Sequence, residues 1–361
     1  MLREMPAEPR RILLVRLGSI GDVARVLPML SGLRERFPDA TIDWVVQARA
    51  ADLLEDHPLI DRLFVVPFRR WREVLSREGW ELARRMRSRD YDLVLDFQGS
   101  MKGTFAALLG GGRAVRIGWT PGHAEEGSWL LFHGHRSPPG HRVNRHLRFR
   151  CLVDWLGAPD RPGIPPPYDE EDLAPVEGFL ARLGEAPRPR ILVYPGTSPA
   201  GRHRRWDPVR FAEATRRIRA RTGGTILVGW GPADEGIARE LADAVEGALP
   251  IPPTTIRGLM ALLERCDLFV GTNTGPMHLA ALVGTPVVAI FGDRSDPRIH
   301  APADFLRSRV LADPEARKWK SWERRGLPPF EGPEPEEVAD VAVEMLDEPA
   351  GDRADGAGGT G

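Results

Sequence analysis

The sequence predicts an α/β protein with two Rossmann-like domains, each a doubly wound parallel sheet, that face each other across a cleft. Short apolar runs alternate with amphipathic segments of helical spacing, which is typical of parallel sheets with crossover helices. The alternation stops at a segment rich in proline and acidic residues and then restarts, and both halves open on similar runs, RILLVRLG and RILVYPG. A chain of 361 residues is also long enough for two domains of ordinary size.

The first half alternates predicted strands and helices in turn. The predicted strands cover 11–17, 41–47, 62–68, 91–97 and 114–119. The predicted helices cover 22–36, 71–88 and 101–109. Pro28 lies inside the first helical pattern, so we expect a kink or a break there.

The second half repeats the alternation. The predicted strands cover 190–196, 224–231, 266–273 and 286–292, and the predicted helices cover 207–221, 234–246, 257–265 and 275–284. Together with the proline-rich segment, these elements predict the domain plan: an N-terminal domain over 1–160, a linker over 161–189, a C-terminal domain over 190–346 and a disordered tail over 347–361.

Composition excludes several classes of protein. A net charge of −1 gives no overall signal for nucleic acid. The first ten residues lack the apolar stretch of a signal peptide, and no run approaches the roughly 18–20 apolar residues of a membrane span. Cys151 and Cys266 are too few for a disulfide framework, and the histidines of HGHR at 133–136 lack further ligands at a suitable spacing. We therefore expect a cytoplasmic protein without a bound metal, and contact with a membrane surface stays open.

The loop after the first predicted strand combines glycines with an acid. In RLGSIGDVARVLP, residues 16–28, Gly18 and Gly21 resemble a phosphate cradle, but Asp22 follows at once. A carboxylate is unfavourable beside a phosphate. From the residues alone, Asp22 suits either the cap of the next helix or a catalytic carboxylate.

Two loops of the second half carry hydroxyl and basic groups. After the strand at 190–196 come Thr197 and Ser198, followed by a basic stretch that contains Arg204, which is either solvated or suited to an anionic leaving group. Asp207 and Pro208 then open a helix.

Two further loops of the second half begin helices. Asp234 or Glu235 could bind ribose hydroxyls or merely occupy a helix start. Asn273 or Thr274 could cap the helix at 275–284, whose free N–H groups suit a pyrophosphate; the alternative is an ordinary capped helix with a core-facing His278.

Two stretches of the first half could meet an anionic acceptor. DFQGSMKG, residues 96–103, places Gln98, Ser100 and Lys102 after a strand. GHRVNRHLRFR at 140–150 is rich in arginine and histidine and could equally be a solvated helix face. Its basic residues are His141, Arg142, Arg145, His146, Arg148 and Arg150.

Taken together, these loops resemble glycosyltransferase family 9, the ADP-heptose:lipopolysaccharide heptosyltransferases. The matching stretches are RLGSIGDVARVLPML, YDLVLDFQGSMKG, AVRIGW, PGTSPAGRHRRW and GTNTGPMHLAALVGTPVVAIFG, in the family's order. The resemblance implies the two-domain glycosyltransferase fold called GT-B. It also implies ADP-heptose or another nucleotide sugar as donor, and a glycolipid or glycan acceptor.

The resemblance also implies roles for individual residues. The family's catalytic base falls on Asp22, and the lysine of its Lys-Arg-Trp segment falls on Arg204. Donor binding falls on Thr197, Ser198, Asp234 or Glu235 (with Glu235 favoured), Asn273, Thr274, Gly275 and His278. Asn273 stands where the family often has Asp. We expect acceptor contacts at Gly18, Gly21, Gln98 and Lys102.

The implied reaction is an inverting, metal-independent sugar transfer to an acceptor hydroxyl. Two alternatives stay open: a nucleotide-sugar epimerase of the same fold, and a non-catalytic homologue that binds nucleotide sugar. A nicotinamide-dependent dehydrogenase is disfavoured, because LGSIGD does not supply the Gly-x-Gly-x-x-Gly pattern.

Overall fold

The computed structural model describes most of the chain in two compact units. The described residues are 6, 8–66, 76–110, 112–140, 142–292, 295–303, 307–313, 327 and 329–348, without the side chains of 199 and 200. The first unit holds the residues up to Asp169 and Thr255–Arg257, and the second holds Glu170–Thr254 and the residues from Gly258 onward.

The first unit is built on a parallel sheet of six strands within the described residues. The strands are β1 (Arg11–Val15), β2 (Thr41–Gln47), β3 (Arg62–Val66), β4 (Leu93–Asp96), β5 (Val115–Trp119) and β6 (Gly134–Arg136). The helices are α1 (Ile20–Ala24), α2 (Leu27–Arg36), α3 (Ala48–Ala51), α4 (Arg77–Arg87), α5 (Met101–Gly110) and α6 (Arg145–Arg150). The strand order is β3-β2-β1-β4-β5-β6.

Burial explains the apolar runs of this sheet. Residues 12–15 of β1 are fully buried because helices cover both faces of a parallel sheet. The predicted helix 22–36 is broken, as expected near Pro28: α1 ends at Ala24, and α2 begins at Leu27 with Pro28 in its first turn. A first turn tolerates proline because its N–H groups have no partner within the helix.

The second unit repeats this architecture with a second six-stranded parallel sheet among the described residues. The strands are β7 (Arg190–Tyr194), β8 (Thr225–Val228), β9 (Leu249–Pro250), β10 (Leu268–Thr272), β11 (Val287–Phe291) and β12 (Ser308–Ala312). The helices are α7 (Glu170–Leu183), α8 (Pro208–Thr222), α9 (Glu235–Ala244), α10 (Ile256–Leu263), α11 (Gly275–Leu282), α12 (Pro297–His300) and α13 (Pro335–Asp347).

The two sheets share one topology. The second has the order β12-β11-β10-β7-β8-β9, which is the order of the first when each unit's strands are numbered from its own start. In both sheets the first and fourth strands are parallel neighbours, and the strands before and after this point are added in opposite directions across the sheet. Ligands of doubly wound sheets bind beyond the carboxyl ends of the strands at this switch point. The loops after β1, β4, β7 and β10 are therefore the first places to look for a site.

Several elements were not predicted, and several predictions fall outside the described residues. Strands β6, β9 and β12 and helix α13 had no counterpart in the sequence analysis. The end of the predicted strand 62–68, residues 71–75 of the predicted helix 71–88, His141 and residues 349–361 of the predicted tail lie outside the described residues. None of the helices in the described ranges is long and apolar enough to span a membrane.

Candidate functional site

A polar cavity of about 210 Å³ lies at the switch point of the first unit. Its lining comes from the loops that follow β1, β4 and β5 and from helix α6. The lining residues are Arg16, Gly18, Asp22, Phe97, Gln98, Glu125, Arg145, Arg148 and Phe149. We call it the arginine cavity. It brings together three arginines and two carboxylates, so its charged lining has an excess of positive charge.

Asp22 is the carboxylate around which the arginines gather. Its Oδ2 accepts a hydrogen bond from Nη2 of Arg16 at 2.5 Å, and its Oδ1 lies 3.3 Å from Nη1 of Arg25 and 3.6 Å from Nη1 of Arg145. The Asp22 side chain is 19% exposed. Asp22 stands in the first turn of α1, but the capping position belongs to Ser19. The capping explanation of Asp22 therefore does not account for its contacts.

Burial lowers the pKa values of the guanidinium groups around Asp22. Burial lowers the pKa of Arg25 to about 9, against the opposing attraction of Asp22. Burial also lowers the pKa of Arg148 to about 10, and the charges of Arg145 and Arg16 lower it further. Arg148 stacks on the indole of Trp119, with its guanidinium carbon 4.6 Å from the ring centroid. A second anion at this cavity would relieve the repulsion among these cations.

The loop after β4 is held by a buried acid. Asp96 is completely buried and accepts hydrogen bonds from the backbone N–H groups of Gln98 at 2.8 Å and Gly99 at 3.3 Å. Burial raises the pKa of Asp96 to about 7, although those N–H groups and the charges of Arg16 and Arg148 oppose the shift. Gln98 in turn accepts from the N–H of Leu17 at 3.1 Å, which joins this loop to the loop after β1.

Gly99 is required in this loop for two reasons. Its φ is 71°, and a Cβ built on it would lie 2.5 Å from Cδ1 of Trp119. We expect Gly99→Ala to lower the free energy of unfolding by about 2–5 kcal/mol, because it adds left-handed backbone strain to a steric overlap. Urea unfolding measures the change. Gly112→Ala is the matched control, because nothing lies within 4 Å of a Cβ at Gly112; equal losses in the two variants would contradict this explanation.

The predicted acceptor residues are only partly brought together. Gly18 and Gln98 line the arginine cavity, whereas Gly21, buried in α1, and Lys102, in the first turn of α5, are not among its lining residues. Four lining residues were not predicted: Arg16, Phe97, Glu125 and Phe149. For Arg16 a signal existed, since an arginine directly after a buried strand stands at the carboxyl edge of the sheet.

In the second unit, the loop after β7 is tied to the start of α9. The N–H at Nε of Arg205 donates to the Thr197 hydroxyl at 3.2 Å, and Nη2 of Arg205 lies 2.8 Å from Oδ1 of Asp234. Thr197 and Asp234 are both buried. Burial raises the pKa of Asp234, while the charge of Arg205 acts in the opposite direction. Asp234 is thus engaged in holding the loop.

The remaining donor candidates of this loop region stand nearer to solvent. Ser198 is exposed, and Arg204 is half-buried at the end of a short 3₁₀ helix, Pro199–Arg204. Glu235 is exposed and pairs with Arg239 at 2.6 Å. Asp207 caps α8 as predicted, accepting from the N–H groups of Val209 and Arg210 at 3.0 Å.

The loop after β10 leads into α11. Thr274 occupies the capping position, but its hydroxyl donates to the carbonyl of Thr272 at 3.2 Å instead of capping the helix. The Asn273 amide donates to the Ser295 hydroxyl at 2.7 Å. Helix α11 begins at Gly275, and His278 in its first turn is buried. The side chain of Thr274 therefore does not cap α11, and a helix N-terminus is the kind of position that suits an anionic ligand.

Metal-ligating side chains are not clustered in the part of the chain that the structure describes. No group of three or more His, Cys, Asp and Glu side chains there is placed to hold a metal ion. The HGHR stretch forms β6 and its approach; His133 accepts from the backbone N–H of Arg116 at 3.0 Å, and His135 contacts the carbonyl of Trp129 at 2.7 Å.

Known structures share this fold. A glycosyltransferase family 9 protein from Veillonella parvula superposes with a TM-score of 0.79 at 21% identity, covering 96% of this chain and 99% of that one. The Escherichia coli heptosyltransferase WaaC with ADP superposes with a TM-score of 0.71 at 23% identity, covering 93% and 99%. The chain thus has the GT-B fold.

Sequence comparison identifies the family. The sequence model of glycosyltransferase family 9 (heptosyltransferase) matches residues 79–319, more than half of the chain. Lipopolysaccharide heptosyltransferase 1 of Pseudomonas aeruginosa is 28% identical over 314 residues, which are 82% of this chain and 84% of that protein. The chain belongs to glycosyltransferase family 9, the heptosyltransferase family, and the resemblance drawn from the loop motifs is confirmed.

Proposed function

We propose that this protein transfers heptose from ADP-heptose to a hydroxyl group of a lipopolysaccharide-core acceptor, with inversion at the anomeric carbon. The relative from Pseudomonas aeruginosa is named as a lipopolysaccharide heptosyltransferase, and WaaC was solved with ADP. The observation that carries the proposal is the carboxylate of Asp22, held by arginines in a cavity at the switch point of the first unit. Family membership gives no support to the epimerase alternative.

In the proposed reaction, Asp22 is the general base. The acceptor hydroxyl attacks the anomeric carbon, the new C–O bond forms as the bond to the diphosphate breaks, and the hydroxyl proton passes to Asp22. ADP leaves with the bonding electron pair. The surrounding arginines favour the ionised carboxylate, which is the form that can accept a proton. Attack from the face opposite the diphosphate inverts the configuration.

The donor half of the proposal rests on the second unit. Arg204, the hydroxyls of Thr197 and Ser198 and the N–H groups that begin α11, at Gly275, would stabilise the leaving diphosphate without a metal. Asn273 directly follows β10, and His278 lies in the first turn of α11. For the ribose we favour Glu235, because Asp234 is buried and already paired with Arg205.

The acceptor half rests on the arginine cavity. An excess of arginine favours an acceptor that carries a carboxylate or a phosphate near the reacting hydroxyl. Gly18 and Gln98 line the cavity, and the family resemblance adds Gly21 and Lys102 as acceptor contacts. Because such an acceptor is anchored in lipid, we propose that the protein meets it at the cytoplasmic membrane face.

A thermal-shift screen against nucleotide sugars tests the donor. We expect ADP-heptose at about 100 times its dissociation constant to raise the melting temperature by about 5 °C, because a ligand that binds only the folded state stabilises it. UDP- and GDP-sugars should give much smaller shifts. Arg204→Gln should reduce the ADP-heptose shift, whereas Asp22→Asn should keep it.

Other outcomes of the screen would contradict parts of the proposal. A larger response to UDP- or GDP-sugars would overturn the donor. A normal response to ADP-heptose without any transfer to acceptor would favour the non-catalytic alternative. No response to any nucleotide sugar would overturn the proposal as a whole.

A further inference from the structure

We propose that Arg16 is a positioning residue that fixes the carboxylate of Asp22 for proton transfer. The proposal rests on the proposed function, in which Asp22 is the base. Arg16 is the first residue of the RLGSIGDVARVLP motif, but the sequence analysis assigned it no role; its place in the fold suggests one.

The backbone places Arg16 within hydrogen-bonding distance of the Asp22 carboxylate. Arg16 follows the last residue of β1, and Val15 is in register with Asp96 of β4. The guanidinium therefore reaches the carbonyl of Phe97, to which Nη1 donates at 2.6 Å, while Nη2 donates to Oδ2 of Asp22 at 2.5 Å. One planar group thus joins the end of β4 to the start of α1.

Burial makes this arrangement rigid. Arg16 is only 4% exposed, and its guanidinium carbon lies 5.4 Å from the centroid of the Phe149 ring. The other two cations at Asp22 differ: Arg25 and Arg145 approach Oδ1 at 3.3 and 3.6 Å, and their side chains are 11% and 26% exposed. Among these three, Arg16 makes the shortest contact with the carboxylate and has the least freedom to move away.

The chemistry requires an arginine rather than any cation. A guanidinium has a planar fork of donors that can serve two acceptors in fixed directions, whereas an ammonium is a single point charge on a flexible stem. Its charge alone would weaken Asp22 as a base, because a nearby cation stabilises the ionised form. The benefit of Arg16 is therefore orientation, and charge and orientation can be separated experimentally.

Two variants separate the two effects. Arg16→Gln removes both, so we expect kcat to fall about 10–100-fold, since small errors in placement cost this much. The KM for the donor should stay within a factor of about three, because the donor loops belong to the second unit. The acid limb of the kcat profile should move to higher pH, because the closest positive charge has gone. Arg16→Lys should leave the acid limb in place and recover only part of kcat.

Arg89→Gln is the matched control for a purely structural effect. Arg89 pairs with the buried Asp43 at 2.9 Å in the same unit, away from the arginine cavity. This control should lower the melting temperature without moving kcat or the pH profile.

Three outcomes decide the proposal. Unchanged kcat and an unchanged acid limb in Arg16→Gln would overturn the role of Arg16 and leave the proposed function standing, provided that Asp22→Asn is inactive. Full activity of Arg16→Lys would also overturn it, even if Arg16→Gln fails to fold. Full activity of Asp22→Asn would overturn the assignment of the base itself, and the role of Arg16 with it.

Discussion

Replacing Asp22 by asparagine should lower kcat by about 10²–10⁴-fold, the usual contribution of a general base. Asparagine has nearly the same shape, and its oxygen can still accept a hydrogen bond from Arg16, but an amide cannot take up the acceptor's proton at neutral pH. The initial rate of ADP release, measured with saturating donor and acceptor, gives kcat directly. Donor affinity should not change, because the donor loops belong to the second unit.

The same substitution should also reduce stability, and this needs its own control. Arg16 is buried, so removing the charge of Asp22 leaves a buried cation without its counter-ion. Asp43→Asn also removes a carboxylate that pairs with an arginine, Arg89, but outside the arginine cavity. We expect both variants to melt at lower temperature and only Asp22→Asn to lose activity. Normal turnover in Asp22→Asn, assayed well below its melting temperature, would show that the base lies elsewhere.

The second large effect is a loss of stability with rising pH that originates at Asp96. The folded state raises the pKa of this buried acid from 3.8 to about 7. Between these values the folded protein keeps a proton that the unfolded chain has released. The free energy of unfolding should therefore fall as the pH rises through this window, by up to about 4 kcal/mol from this group alone.

Asp96→Asn removes the ionisable group and keeps an oxygen that can accept from the N–H of Gln98. We expect the variant to lose this component of the pH dependence and to become more stable than the parent protein above pH 7. Urea unfolding between pH 4 and pH 8 measures the effect, and Asp39→Asn, at an exposed position, controls for the loss of one carboxylate. Parallel stability curves for parent and Asp96→Asn would contradict the raised pKa.

The sequence predicted most of the two sheets because their strands are buried on both faces. A continuous apolar run such as residues 12–15 identifies a parallel strand without knowledge of its neighbours, and this run lies in β1. The predicted bounds 41–47 are those of β2, although Asp43 interrupts its apolar residues. The missed strands lack that signal: β6 is the short polar stretch Gly134–Arg136, and β9 has two residues. Helix α13 did carry a signal, since Val338, Ala342 and Met345 recur at helical spacing and are buried.

The candidate site could be predicted in part for a similar reason. Loops at the carboxyl ends of strands are visible in a sequence, so Asp22 and Gln98 could be identified beforehand. Arg148 was identified from the arginine-rich stretch at 140–150. The partners of a side chain depend on the folded chain, so the pairing of Arg16 with Asp22 and the burial of Asp96 could not. Most charged residues are exposed, so the sequence alone does not indicate that a charged residue within an apolar run, such as Asp96, is buried.

The choice between Asp234 and Glu235 shows the same limit. Adjacent residues at a helix start are equivalent in a pattern, and only the contacts separate them: Asp234 holds Arg205, while Glu235 is exposed and pairs with Arg239. Similarly, the capping position before α11 was predicted as Asn273 or Thr274, and the structure selects Thr274 without a capping hydrogen bond from its side chain.

The central claim is that this protein moves a heptose from ADP-heptose to an anionic lipopolysaccharide-core acceptor. The most direct test incubates the purified protein with ADP-heptose and a lipopolysaccharide precursor that carries no heptose, and follows the acceptor by mass spectrometry. We predict an acceptor heavier by one heptose residue, formed together with an equal amount of ADP, and no such product with Asp22→Asn. An acceptor of unchanged mass, with ADP-heptose left intact, would contradict the claim.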